Sequence, residues 1–148
     1  MAQEATPPAL SPPVTPACIS SPYGERPAGG PRASRVHSGV DLPAPLGAWI
    51  GAAAPGRVTA IRRINYSGLE VQVTHAGGLV TRYAHLGDVS PALVEGRRDV
   101  RAGDRLGRVG RTGITYGTHV HFEVWLRGTR VDPAPYLPGV TPCGGPGR

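Results

Sequence analysis

The sequence predicts an all-β fold in one small domain, and three observations point there. Glycine and proline are abundant, 22 and 17 residues in a chain of 148. Such punctuation suits short strands joined by tight turns and would be costly inside helices. Six segments read as strands (49–53, 56–63, 69–74, 79–86, 105–109 and 119–127), and nearly every connection between them carries Gly, Pro or Asp. No stretch reads convincingly as a helix. A chain of this length holds one domain with a real core and no more.

Taken in order, residues 1–16 carry Pro7, Pro8, Pro12, Pro13 and Pro16 among Ala, Thr and Ser, the composition of an extended, disordered leader. Ordered structure is expected to begin near Cys18, with the domain spanning 17–138 and a Gly- and Pro-rich tail over 139–148. No internal repeat is evident. Segment 37–41 is not read as a helix, because Gly39, Pro43 and Pro45 argue against one. Thr74-His75-Ala76-Gly77-Gly78 separates Val71-Gln72-Val73 from Leu79-Val80-Thr81, and His75 reads there as a solvated turn residue. In the next strand, alternation places Thr81, Tyr83 and His85 on one face. Asp88, Asp99, Asp104 and Asp132 stand near Gly, Pro or Arg and read as turn-formers. Trp49, Tyr66 and Tyr116 could line a groove or pack inside.

The last strand is the most informative. In His119-Val120-His121-Phe122-Glu123, the two His and the Glu share one face, while Val120, Phe122, Val124 and Leu126 share the other. One face has a core to pack on. The other places two imidazoles about 6–7 Å apart at Cβ, close enough to serve one centre. Five His in 148 residues give about 0.17 such pairs by chance, so an exposed pair remains the alternative. Trp125 lies on the His121 face, over a cleft or at a sheet edge.

A partner motif lies upstream. His37-Ser38-Gly39-Val40-Asp41 offers an imidazole and a carboxylate, and the two motifs together are expected by accident only about 0.03 times. One imidazole of 119–121 with His37 and Asp41 makes two nitrogens and one oxygen, leaving a fourth position open. That composition suits a catalytic zinc rather than a closed structural site. On a straight strand His37 and Asp41 would stand about 13 Å apart, too far for one ion. The chain must therefore bend near Ser38-Gly39, and glycine permits it.

Together, H-S-G-V-D-L (37–42), T-R-Y-A-H-L (81–86) and T-G-I-T-Y-G-T-H-V-H-F-E-V (112–124) resemble the lysostaphin-type zinc endopeptidases of bacterial cell walls. V-R-A-G-D-R-L-G-R-V-G-R-T-G (100–113) is similar to that family's Gly-turn strands, and the resemblance covers roughly residues 18–138. It implies an antiparallel sheet or sandwich with a groove across one sheet. It implies zinc held by His37, Asp41 and His121, with His85 and His119 beside the water that the metal activates. Thr118, Val120, Tyr116 and Arg57 depart from the family's usual residues without removing a ligand.

The implied chemistry is peptide hydrolysis. Zinc lowers the pKa of its water toward about 7 and polarises the carbonyl under attack. His119 and His85 would share the roles of proton acceptor and of oxyanion stabiliser or acid. Glu123 or a backbone carbonyl would orient a ligand imidazole. The expected substrate is a peptide cross-link or stem peptide of peptidoglycan, cut by a monomer in the periplasm or outside the cell. In that compartment Cys18 and Cys143 are expected to pair as a clasp of the two ends, with a chain-entropy limit of about 4–5 kcal/mol.

All 16 basic residues are Arg, against ten acids, for a formal charge of +6. They are scattered rather than clustered with aromatics, which suits attraction to an acidic wall polymer better than specific nucleic-acid binding. No run of 18 apolar residues offers a membrane span and no signal peptide is recognisable; Met1-Ala-Gln-Glu-Ala reads as a processed start with an added Met. Two other readings stand beside the enzyme. One is a non-catalytic wall-binding or amidase-activating module of the same fold. The other is a structural β domain with an adventitious zinc.

Overall fold

A computed structural model describes residues 7–25, 36–113 and 117–144. The strands are β1 (Gly24–Glu25), β2 (Val36–His37), β3 (Val40–Pro43), β4 (Trp49–Gly51), β5 (Gly56–Ile64), β6 (Gly68–Thr74), β7 (Leu79–Val89), β8 (Asp99–Val100), β9 (Arg105–Val109), β10 (His119–Leu126) and β11 (Thr129–Val131). One helical turn, α1 (Pro91–Val94), follows β7, with Pro91 in the first turn where its missing N–H costs nothing. The all-β expectation holds. No helix among the described residues is long and apolar enough to cross a membrane.

Nine strands form one antiparallel sheet with the path β11-β10-β7-β6-β5-β8. β10 is its hub: β7 runs along one edge, and β3 and β11 follow one another along the other. β9 joins the far end of β7 to β4, and β1 and β2 form a separate small ribbon. Alternation explains how β10 serves both core and site. Val120, Phe122 and Val124 are fully buried, and Phe122 meets Tyr83 of β7 at 5.4 Å between ring centroids. Val40, Leu42, Val71, Val73, Leu86 and Leu106 close the same core. Truncating Phe122 there would cost about 3–5 kcal/mol.

The leader expectation is corrected for its described part. Leu10 and Val14 are buried in the core. The Leu10 N–H donates to the Tyr136 carbonyl at 2.8 Å, Ser11 N–H to Ala53 at 2.9 Å, and Pro13 accepts from Gly51 N–H at 2.8 Å. Residues 13–16 of this segment bend rather than run straight. Proline lowers the entropy lost on ordering it, which helps two buried apolar side chains and three backbone hydrogen bonds hold it down.

The two ends meet. Cys18 and Cys143 form a disulfide with Cα atoms 4.9 Å apart across a sequence separation of 125. Beside it, Ile19 N–H donates to the Thr141 carbonyl and Cys143 N–H to that of Ile19, both at 2.9 Å.

Candidate metal centre

His37 and Asp41 come together because the chain bends between β2 and β3. The His37 Nε2 lies 3.2 Å from Asp41 Oδ1. Gly39 sits in the bend, where a Cβ would run into the Phe122 carbonyl oxygen; any side chain there would push β3 off β10. Strand pairing supplies the third group, since register sets His121 opposite Asp41 and brings its Nδ1 to 2.9 Å from Asp41 Oδ1. One donor atom from each of His37, Asp41 and His121 falls within 4.8 Å of the others. Two imidazole nitrogens and a carboxylate oxygen with room for a further ligand are a donor set that fits zinc.

The other ring nitrogens are tied. The Pro22 carbonyl can only accept, so His37 Nδ1 carries the proton of that 2.8 Å bond and Nε2 faces Asp41. His121 Nε2 lies 3.0 Å from Glu123 Oε2. Glu123 also accepts from Ser38 Oγ at 2.7 Å and from Trp125 Nε1–H at 2.8 Å. Both of the expected orienting partners are thus present, a backbone carbonyl for His37 and Glu123 for His121. Ser38 and Pro22 carried no signal in the sequence; only the strand pairing brings them to the rings.

Electrostatics follow from burial and these bonds. Burial would raise the Asp41 pKa, but hydrogen bonds from His121 and His37 outweigh it and hold the carboxyl well below the usual range. Burial likewise opposes the charge of His121, yet its bonds to Asp41 and Glu123 lift it to about 9. Glu123, against the pull of burial, is lowered to about 2, chiefly by the His121 bond. Burial lowers His119 and His85 below the ordinary imidazole value.

His85 corrects the alternation argument. Tyr83 pairs with Phe122 and Ala84 with His121 across β7 and β10, so a regular strand would turn His85 inward with Tyr83. Instead His85 has φ of +66°, beside irregular register on both sides of β7. That left-handed kink swings its ring onto the site face. It stands edge-on to His119 at 5.3 Å and 6.1 Å from His121, with Nδ1–H donating to the Thr112 carbonyl at 2.7 Å. His119 Nε2 lies 3.6 Å from Asp41 Oδ1. A cleft of about 320 Å³ opens beside this group, lined in part by Ser20, Ser21, Asp41, Thr118 and His119.

His75 is also corrected. It is buried rather than solvated, with its ring nitrogens on the Pro55 carbonyl at 2.7 Å and Thr81 Oγ1 at 2.8 Å. Thr81 continues to the Tyr83 hydroxyl at 2.7 Å, so this ring closes a polar chain under the sheet, away from the metal cluster. Asp104 and Asp132 do stabilise turns through the Arg101 and Ala134 N–H groups. Asp88 and Asp99 instead lie on strands facing Arg108 and Arg57. Tyr66 is exposed, and Tyr116 falls outside the described residues.

A sheet with this five-residue polar cluster defines a class of β-sheet metallopeptidase domains. Residues 35–133 match Peptidase family M23, and the chain belongs to that family. It is 41% identical over 115 residues to the DD-carboxypeptidase/endopeptidase Mpg of Neisseria meningitidis, a match covering 78% of this chain and 26% of that protein. A zinc containing peptidase from Vibrio cholerae superposes with a TM-score of 0.73 at 28% identity, covering 89% of this chain and 40% of that one. The catalytic domain of lysostaphin from Staphylococcus simulans does so at 0.70 and 27%, covering 82% and 92%. The chain spans about a quarter of the length of the curated relatives it matches.

Proposed function

We propose that this domain is a zinc-dependent endopeptidase that hydrolyses peptide cross-links or stem peptides of bacterial peptidoglycan. The observation that carries the reading is the convergence of His37, Asp41 and His121 within 4.8 Å, with His119 and His85 beside them. The relative named a DD-carboxypeptidase/endopeptidase supports the substrate class. The disulfide supports action outside the cytoplasm, in the periplasm or beyond.

His37 Nε2, Asp41 Oδ1 and His121 Nδ1 would hold the ion. Zinc in that position supplies Lewis-acid activation of water and of the scissile carbonyl. The rest is the work of side chains. Thr112 holds His85 as the Nδ1–H tautomer, which leaves Nε2 as that ring's acceptor. His119 stands edge-on to it at the mouth of the cleft. As a pair they take the proton of the attacking water and return one to the leaving amine. Pro22 and Glu123 keep the ligand rings in place while charge shifts. The enzyme acts as a monomer, drawn to an acidic wall by its surplus of Arg.

The test is mass spectrometry of muropeptides after incubation of purified peptidoglycan with the protein, with and without a chelator and zinc add-back. New peptide-bond products that vanish with chelator and return with zinc are the expected result. Zinc-loaded protein that leaves the wall intact would overturn the enzyme reading in favour of a wall-binding or amidase-activating module.

A further inference from the structure

A second cavity, of about 600 Å³, lies where β4, β9 and α1 meet, and it shares no lining residue with the metal cluster. Its volume falls in the range of small-ligand sites, about 300–1,000 Å³. The wall is mixed. Pro91 and Ala92 supply exposed apolar surface over the buried Leu93 and Val100, and Arg97, Arg105 and Arg108 stand in the lining together with Trp49. Arg105 and Arg108 lie over the Trp49 ring, 4.4 and 4.5 Å from its centroid.

The charges are not balanced from within. Asp104 is the only carboxylate in the lining, and it accepts the Arg101 N–H at 2.8 Å. Asp88 reaches Arg108 only at 3.9 Å, and Arg97 donates to a backbone carbonyl. Among the described residues the Arg105 side chain has no hydrogen bond or ion pair; its guanidinium lies over the Trp49 ring. Stacking on an indole engages the face of a guanidinium and leaves its N–H donors for an anion.

We propose that this cavity binds an acidic saccharide, a sugar carrying a phosphate or a carboxylate. Its anionic group sits on Arg105 and Arg108, and its ring lies over the apolar wall. A bare inorganic anion would leave that wall unused. A nucleobase would need an open aromatic face on which to stack, and Trp49 already carries two guanidinium groups. Phosphate and carboxylate both match the guanidinium fork, so the source is decided by comparing the two. The proposal does not depend on peptidase activity.

The test is an NMR titration of the zinc-loaded full chain with glucose 6-phosphate, with glucuronate and with neutral glucose. The chain has two Trp, so the Trp49 indole N–H reports this cavity, and that of Trp125, which donates to Glu123, reports the His121 side of the candidate metal centre. We expect a saturable Trp49 shift with at least one acidic sugar, a still Trp125 signal and no effect of glucose. Arg105→Gln removes no internal hydrogen bond. It should keep a wild-type spectrum elsewhere and bind about tenfold more weakly, as loss of a charge-assisted contact predicts. Four results would each overturn the site: no shift with either acid, an equal shift with glucose, a shift at Trp125 alone, or unchanged affinity in Arg105→Gln. The tighter of the two acids names the source.

Discussion

The Pro22 carbonyl oxygen accepts the Nδ1–H of His37 at 2.8 Å, and this bond links the chain's disulfide to the cluster of His37, Asp41 and His121. Pro22 ends a short extended segment that starts at Cys18. Along it, Ser20 N–H donates to the Asp41 carbonyl at 2.9 Å and Asp41 N–H to that of Ser21 at 3.0 Å. The segment therefore braces two of the three groups proposed as ligands. Its far end is fastened to Cys143.

The clasp should accordingly matter twice. Replacing both cysteines by Ser is expected to cost at most about 4–5 kcal/mol in denaturant unfolding, the limit for a loop of this length. It should also weaken zinc, because the brace on His37 and Asp41 loosens. A competition titration against a chromogenic chelator reads the second effect, and equal zinc affinity in the double variant would show that backbone pairing alone holds the segment.

The five cluster residues should divide into two groups. His121→Ala and His37→Ala are expected to lose zinc on dialysis, read by elemental analysis, and activity with it. His119→Ala should keep most of its zinc and lose about 10²–10⁴-fold in turnover. Wild-type cleavage by His119→Ala would remove it from the chemistry. Full zinc occupancy in His121→Ala would remove that residue from the ligands.

Glu123 fastens His121 while itself bound by Ser38 and Trp125. Glu123→Gln keeps the shape and removes the charge that fixes the ring. The expected loss is about 10- to 100-fold in zinc affinity, measured by the same competition titration, with little change in the unfolding midpoint of the zinc-free protein.

Burial lowers the pKa of His75, only partly offset by its bond to Pro55. Between that value and the ordinary 6.5, the unfolded chain holds a proton that the native one refuses. This contribution to stability is therefore present above the unfolded pKa and is lost as pH falls through the folded one. Denaturant unfolding at about pH 8 and about pH 5 should show a smaller acid loss in His75→Gln than in wild type. Equal losses would mean that His75 is not the responsible group.

Much of the sheet was legible because strands of period two announce themselves locally. The strand read at 105–109 is β9 as observed, and 56–63 and 69–74 differ from β5 and β6 by one residue each. β3 escaped notice: four residues hemmed by proline look like a loop until β10 pairs with them. The leader failed for a related reason. Its prolines report an extended backbone, whereas its attachment depends on Leu10 and Val14 meeting a surface made elsewhere.

The site divides in the same way. The chemistry on offer is readable from the residues alone, with His119, His121 and Glu123 on one face of a strand and a glycine that lets His37 turn toward Asp41. Those facts follow from the pleat and from the freedom of a residue without a Cβ. Folding adds that Asp41 stands opposite His121, that His85 turns outward through a left-handed backbone against its own alternation, and that His75 closes a buried chain instead of facing water. The first depends on pairing between segments distant in the chain, and the other two on how strands pack around a ring, which overrides what neighbouring residues prefer.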